Sequence, residues 1–362
     1  MNSRPLAIVT TRLPPLLCGV GSYSLRLDQA WPHTPQNHTF LVCEGGSDSS
    51  AELKSGKFIE HRAEARQLSS ELEKIGDCDV LLHYAARAYH RYCFPTWLCR
   101  ALERWKSQAI LGRLVIMFHE MPSSMPLTSR HFLPNFLNAR IIRRLANVAD
   151  ALVTNTADQA ATLAGLSGRG DILVLPVAAN IEPESGVEVQ RQHSEFIVFG
   201  LPFGREQALR RFADLIPEWV RTGVLTRLHI VGPREDRYSA AEERILDATG
   251  VRQLAEIHGS LPARAVSDLL SRSNFALTNV GESTWSKSGV FMACAAHRCA
   301  VVASVERTEI PLTFVVQPGE VVSVSQHELN ERTSGLRDWY NANAAWPILA
   351  ARFAELFEKA AA

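Results

Sequence analysis

The sequence lacks the features that would anchor it in a membrane or build it around disulfides. No stretch of its 362 residues approaches the roughly 20 apolar positions of a bilayer-spanning helix. The amino-terminal MNSRPLAIVTT reaches a strand-like run at once, without the long apolar core of a secretory signal. Its seven cysteines (Cys18, Cys43, Cys78, Cys93, Cys99, Cys294 and Cys299) are odd in number and scattered through apolar segments. None forms a CxxC pair or a Cys/His cluster with zinc spacing, so reduced, buried thiols in a cytoplasmic protein are expected, with no metal site. An excess of charge is missing too: 38 basic residues face 38 acidic ones. That balance argues against a general nucleic-acid binder, while a local basic pocket for phosphates stays open. Low-complexity tracts and short-period repeats are absent, and no GxxxxGK[ST] spacing exists for a P-loop.

What is present is an ordinary globular composition, 46% hydrophobic and 21% charged, on a chain longer than one hydrophobic core usually supports. Short β-branched runs alternate with amphipathic stretches. Strands are expected at 5–10, 39–43, 79–84, 113–118, 150–154 and 172–175, and helices near 21–31, 66–75, 95–107, 130–147 and 156–165. Residues 181–194, IEPESGVEVQRQHS, read as a polar linker. The alternation then restarts, with strands at 195–199, 226–231, 254–258, 274–279, 300–304 and 312–316. Helices fit near 205–220, 239–248, 263–271 and 289–297, and two more close the chain at 327–342 and 345–361. Such alternation specifies parallel strands with crossover helices. Two successive Rossmann-like halves are expected, with a cleft faced by the carboxyl ends of their strands.

Several loops at strand ends carry groups suited to an anionic ligand. The first strand runs through TRLPPLLCGVGSY into a helix, where Gly19 and Gly21 flank Val20. Backbone amides there can approach an anion, or the glycines can simply form a tight turn. The third glycine of GxGxxG is missing, and no acid follows the second strand, which disfavours a dinucleotide oxidoreductase. The fourth strand ends in Phe118-His119-Glu120, which points His119 toward a ligand crevice or tethers a loop. In the second half, strand 274–279 leads through Glu282, Ser286, Lys287, Ser288 and Gly289 into a helix. A serine cap, helix amides and a lysine together make a diphosphate cradle, or an ordinary cap with a solvated lysine. Gly232-Pro233 and His258-Gly259 end two further strands, as contacts for a nucleotide or as turns. The stretch 84–98 is aromatic, and its Arg87 and Tyr89 can shape an acceptor pocket, though core packing would claim most of its rings. A helix at 130–147 combines Arg130, Arg140, Arg143 and Arg144 with apolar residues; packing on its sheet is the simpler expectation, contact with an anionic membrane the alternative.

In order and spacing these segments resemble retaining GT-B glycosyltransferases of the family 4 type over nearly the whole chain. The resemblance is carried by PPLLCGVGSY at 14–23, Phe118-His119-Glu120, LPVAANI at 175–181, LHIVGP, EIHGSLP, FMACAAHRCAVVAS, and Trp346 with the closing helix. It implies an amino-terminal acceptor domain over 1–185, a nucleotide-sugar domain over 194–342 and a helix over 343–362 that returns to the first. It implies sugar transfer from a nucleotide-diphosphate donor to a glycan, lipid-linked or small-molecule acceptor, with retention and without a cofactor or metal. No DxD sits at the end of a strand, in keeping with that. His119 and Lys287 would then be catalytic. Gly19, Val20, Gly21, Arg205, Gly232, Pro233, His258, Gly259, Glu282, Ser286, Ser288 and Gly289 would meet the donor, and Arg87, Tyr89 and Glu120 the acceptor. The chain departs from the family at the E-x7-E pair, which falls on Trp285 and Ala293, and in the basic residues after strand 195–199, where only Arg205 offers a substitute. A His-Gly pair is replaced by His297-Arg298. The segment WSKSGVF is similar to a divergent branch of bacterial polysaccharide transferases. A catalytically inactive homologue that binds nucleotide or scaffolds is the alternative function. The expected place is the cytoplasm, with peripheral contact at the inner face of the membrane allowed.

Overall fold

The computed structural model describes residues 4–14, 18–32, 38–43, 57–60, 65–109, 111–122, 128–130, 132–184 and 191–358. Residues 15–17 of the first glycine loop, 185–190 of the expected linker and 359–362, where the closing helix is expected to end, lie outside them. The chain divides into two compact units, Met1–Pro176 with Trp346–Ala362, and Val177–Ala345. Ile181, placed by its polar neighbours in a linker, packs against the core of the second unit instead. The Glu182 carboxylate beside it accepts from the Tyr340 hydroxyl at 3.0 Å.

The first unit runs β1 (Leu6–Thr10), α1 (Gly19–Gln29), β2 (His38–Val42), β3 (Lys57–Glu60), α2 (Ala65–Ile75), β4 (Asp79–Tyr84), α3 (Ala86–Tyr89), α4 (Thr96–Gln108), β5 (Leu114–Phe118), α5 (Phe132–Val148), β6 (Ala151–Thr154), α6 (Ala157–Ser167) and β7 (Ile172–Val174). Its seven strands are parallel, in the order β3-β2-β1-β4-β5-β6-β7. LAIVT of β1 and LVIMF of β5 are buried at every position, because helices cover both faces of a parallel sheet. The core joins these strands to Leu98, Leu102 and Trp105 of α4 and Ile141, Ile142 and Leu145 of α5.

The second unit runs β8 (Gln192–Phe199), α7 (Pro202–Phe212), α8 (Ile216–Arg221), β9 (Arg227–Val231), α9 (Asp236–Ala248), β10 (Ala255–Gly259), α10 (Ala263–Arg272), β11 (Ser273–Leu277), α11 (Gly289–Ala296), β12 (Ala300–Val302) and α12 (Gln326–Asn343). Its sheet is also parallel, ordered β10-β9-β8-β11-β12. The closing α13 (Trp346–Glu358) belongs to the first unit, where it lies beside α1. Together these are the two Rossmann-like domains of a GT-B fold, with a last helix returned to the first domain.

Besides the short α3, which the pattern does not announce, three elements differ from it. β3, KFIE, escapes notice because its charged ends break the apolar run; it pairs with β2 from Thr39↔Lys57 to Val42↔Glu60 at the sheet edge. The apolar run 312–316 is a 3-10 turn over Leu312–Phe314 followed by one bridge, Val302↔Val316; its hydrophobicity reports burial alone. The expected helix 205–220 is two, α7 and α8, each opening with a proline near its first position. There the missing N–H costs nothing.

The glycines of the first loop have unequal roles. A Cβ on Gly21 would stand 1.5 Å from the Arg12 carbonyl oxygen, whereas one on Gly19 would meet nothing within 4 Å. Gly21 therefore lets α1 close on the end of β1. Gly21→Ala is expected to destabilise by about 1–3 kcal/mol or more, since the backbone must yield. Gly19→Ala, at a helical position, is expected to be neutral or to stabilise by up to about 1 kcal/mol. Urea unfolding of both variants checks the opposed signs.

Candidate functional site

In the second unit the connections from β8 and β11 leave in opposite directions, since β8 leads to β9 and β11 to β12 on the other side. An open α/β sheet binds ligands outside the carboxyl ends of the two strands at such a switch point. Helix α11 starts there. Its sequence GVFMACAA is buried from Phe291 to Ala296, so the core fixes the helix and its amino terminus is held in place. Ser288 caps it, the Oγ accepting from the Phe291 amide at 3.1 Å. The first intrahelical bond is Met292 N–H to the Ser288 carbonyl, which leaves the Gly289 and Val290 amides ahead of it, at the positive end of the helix dipole.

Lys287 is exposed one residue before that cap, in a 3-10 turn over Trp285–Lys287. The turn is anchored by Trp285, whose ring packs at 5.9 Å from Phe291 and 5.3 Å from Trp339. It is also anchored by Ser286, buried, whose carbonyl accepts from the Val177 amide at 2.8 Å. Glu282 is exposed and its Oε1 accepts from the Glu306 amide at 2.7 Å, bracing the loop before the turn. A Cβ on Gly289 would lie 2.9 Å from Asn180 Nδ2, and one on Gly200 would lie 3.1 Å from a Val290 methyl. The first turn of α11 thus sits between Asn180 and the glycine that ends β8. Lys287, Ser288 and Gly289 are brought together at the switch point. Asn180 and Gly200 had no chemical signal of their own in the sequence; only the fold gives them this place.

Arg205 is a correction. Expected to meet the donor, it is 1% exposed and spent on the protein. Its Nε donates to Glu242 at 2.9 Å, Nη1 to the Gly200 carbonyl at 2.7 Å and Nη2 to the Pro233 carbonyl at 3.0 Å. It ties the ends of β8 and β9 to helix α9. A Cβ on Gly232, whose φ is +139°, would meet the Gly200 carbonyl oxygen at 2.1 Å and Arg205 Nη1 at 2.4 Å. The Gly232 amide donates to the Gly259 carbonyl at 2.8 Å. Gly200, Gly232 and Gly259 all have positive φ, which glycine adopts without strain. Pro233 is exposed. His258 lies 3.0 Å from His229, Nε2 to Nδ1, and Glu256 joins them in a group with metal-type ligand atoms. The group has no local spacing in the sequence, because its three residues come from two strands. Burial holds the His229 imidazole below its ordinary range, with the Glu195 carboxylate opposing that shift.

In the first unit the switch point lies between β1 and β4. Gly19 is exposed, Val20 half-buried and Gly21 buried at the start of α1, where the Cys18 thiol accepts from the Gly21 amide at 3.5 Å. His119 follows β5 and is buried, its Nε2 3.1 Å from Nδ1 of His83 on β4. Tyr23 of α1 stands edge-on to both rings and to Trp346 of α13. Burial, reinforced by His119, holds His83 well below the usual histidine range, so it is neutral at pH 7. His83 and Tyr23 were missed because each sits at a position whose periodicity calls only for core. Among the described residues, His83 Nε2 and the Tyr23 hydroxyl are buried with no hydrogen-bond partner.

Tyr89 is a second correction. It is buried, donates its hydroxyl to the His83 carbonyl at 2.8 Å, and stacks on Tyr84 at 6.2 Å, so its hydroxyl is spent on the strand ends of the sheet rather than offered to an acceptor. Arg87 and Glu120 are exposed. All seven cysteines are free.

No family model matches the sequence, and no curated protein matches it. In fold the chain is similar to solved GT-B glycosyltransferases. Sucrose-phosphate synthase from Thermosynechococcus elongatus superposes with a TM-score of 0.67 at 12% identity, over 98% of each chain. HepE of Anabaena, solved with UDP and glucose, gives 0.66 at 11% identity over 98% of this chain and 99% of its own. WaaG, a glycosyltransferase of lipopolysaccharide biosynthesis, gives 0.61 at 12% identity over 98% of this chain and all of its own, 100%. Among the described residues no helix is long and apolar enough to cross a membrane.

Proposed function

We propose that the protein is a glycosyltransferase that moves a sugar from a nucleoside-diphosphate donor to a glycan, lipid-linked or small-molecule acceptor. The observation that carries this reading is the start of α11 at the β8–β11 switch point, with Lys287 beside amides that precede the first helical bond. HepE, of like fold, was solved with UDP and glucose, which supports a nucleoside diphosphate as the occupant. As the glycosidic bond breaks, negative charge grows on the leaving phosphate. The helix amides and Lys287 are pre-set to meet it, without a metal in that step. Retention of configuration accompanies this reading through the resemblance. His119, oriented by His83, is the first unit's candidate to hydrogen-bond the donor sugar or leaving oxygen. Gly19 and Val20 remain candidates for the donor, and Arg87 and Glu120 for the acceptor. Peripheral contact with an anionic membrane fits α5, where Leu133, Phe136, Arg140 and Arg143 are exposed along one stripe, with the Arg140 guanidinium 4.8 Å over the Phe136 ring.

Lys287→Met tests the cradle. A charge-assisted hydrogen bond is worth roughly 1.5–3 kcal/mol, so nucleoside-diphosphate affinity should fall about ten- to a hundredfold. The bare nucleoside should bind as before, and turnover should fall further than ground-state binding does. Titration calorimetry with both ligands decides it: equal weakening of the two means damage to the whole pocket, and unchanged diphosphate affinity removes Lys287 from the site.

An inactive, nucleotide-binding homologue is the second reading. What favours it is that Trp285 and Ala293, at the E-x7-E positions, are packed in apolar surroundings. Diphosphate binding without turnover on any nucleotide sugar would select it.

A further inference from the structure

β10 is an edge strand and pairs in parallel with β9, with Glu256 opposite His229. His258 lies at a register shift between Ile257 and Gly259, where the strand departs from simple alternation and its ring reaches the same group as Glu256. The three ligand atoms form a triangle: His229 Nδ1 is 3.0 Å from His258 Nε2 and 3.5 Å from Glu256 Oε2, and His258 Nε2 is 3.7 Å from Glu256 Oε2. Atoms bound at about 2.0–2.2 Å to one tetrahedral metal stand about 3.3–3.6 Å apart. The triangle therefore has the dimensions of one face of a metal-centred tetrahedron. We propose that His229, Glu256 and His258 form a zinc-type divalent metal site, with three protein ligands and a fourth position open to solvent.

The surroundings are built for it. His229 Nε2 lies 3.4 Å from Glu195 Oε2. A ring that donates Nε2–H to Glu195 must present its Nδ1 lone pair to the other two ligands, which is the carboxylate–histidine–metal arrangement that fixes a ligand's tautomer. Arg227 spans the two carboxylates, Nη1 to Glu195 Oε1 at 3.2 Å and Nε to Glu256 Oε1 at 3.3 Å. It holds one oxygen of each, and the second oxygen of each is the one turned to a histidine. His229 is 2% exposed and anchors the group, whereas side chains of His258 and Glu256 are 24% and 48% exposed and leave an entry path. Two imidazoles with one carboxylate suit zinc, and cobalt as its spectroscopic stand-in, better than magnesium or calcium, which prefer oxygen ligands throughout. A bound ion would pin the edge strand β10 to β9 and hold His258 away from any role in reading a nucleotide base. The inference is independent of sugar transfer.

The test uses the full chain, stripped with a chelator and titrated with zinc chloride by calorimetry and with Co²⁺ by visible absorption. One equivalent should bind, Co²⁺ should give the intense bands of a four-coordinate site, and zinc should raise Tm by mass action. Glu195→Gln should weaken zinc about ten- to a hundredfold, as loss of an outer carboxylate does. His258→Gln should weaken it at least as much, and His327→Ala, on the distant exposed pair with Glu331, should change nothing. Should a His229 variant fail to fold, His258→Gln, on the open side, still decides the matter. Absence of saturable binding, an octahedral Co²⁺ spectrum, or equal affinity in His258→Gln would overturn the proposal.

Discussion

Replacing Arg205 with alanine is expected to cost about 3–5 kcal/mol of stability, the range for breaking a buried ion pair by removing one partner. The guanidinium is 1% exposed and Glu242 2%, so neither charge can be rescued by water once the other is gone. Burial already pushes the Glu242 carboxyl up, and Arg205 is the first group that opposes the shift. Without the arginine, Glu242 must take a proton or remain charged in an apolar place. Two carbonyls, Gly200 and Pro233, lose their donor in the same step. Arg205→Lys keeps the charge but not the fork, and should recover only part of the loss. Arg205→Met paired with Glu242→Leu should be far less damaging than Arg205→Ala, because the uncompensated charge goes with the pair. Urea unfolding of the four proteins measures this. A cost under 1 kcal/mol for Arg205→Ala would show that the guanidinium is not structural and return it to the donor site. Since Gly200 also abuts Val290, the same variant should weaken diphosphate binding indirectly, in step with stability.

Much of the fold was legible because parallel strands buried on both faces read as continuous apolar runs. LAIVT, DVLLHY, LVIMF and ALVT are where their β-branched and apolar content puts them. KFIE was not legible, since an edge strand carries charge for reasons unrelated to its backbone. Nor was LTFVV distinguishable from a strand, because burial without regular pairing leaves the same hydrophobic signature. At the site, the cap Ser288 and its neighbour Lys287 could be read because a helix start is a local pattern. Roles that depend on a partner far along the chain could not. Arg205 needs Glu242, His119 needs His83, and His229 needs His258 and Glu256, each on another element. The departure at His297-Arg298 also has a physical sense. Arg298 sits at φ +56° just past α11, the left-handed position that a glycine would take without strain, and its guanidinium is held by Ser334 at 2.6 Å. His297 is bound at both ring nitrogens, by the Ala293 carbonyl at 2.7 Å and Ser267 Oγ at 2.8 Å.

That last histidine leads to the second large effect, acid lability between about pH 6.5 and pH 4. Burial lowers the His297 pKa from 6.5 to about 4, because an imidazolium there would be desolvated and would face Arg191 and Arg337. In the unfolded chain the ring protonates near 6.5. The unfolded state therefore binds a proton in this window that the native state refuses, and stability falls as pH falls. The contribution is fully present above about pH 6.5 and is gone below pH 4. For His297 alone the shift corresponds to about 3 kcal/mol, at about 1.4 kcal/mol per pKa unit. His83 and His229 are shifted in the same direction, chiefly by burial, and steepen the loss. Asp79 and Glu242 act with the opposite sign, because burial raises their carboxyls, so the native state takes up their protons first. The decisive quantity is accordingly a difference between two proteins. Urea unfolding at pH 7.5, 5.5 and 4.5, in chelator so that no ion adds to His229, should show wild type losing stability more steeply than His297→Gln. The glutamine cannot titrate, and its amide offers one donor and one acceptor to Ala293 and Ser267. The gap between the two proteins should narrow by up to about 3 kcal/mol as the pH falls from 7.5 toward 4. Parallel curves for the two proteins would mean that His297 titrates alike in both states, and its burial would then carry no linkage to folding.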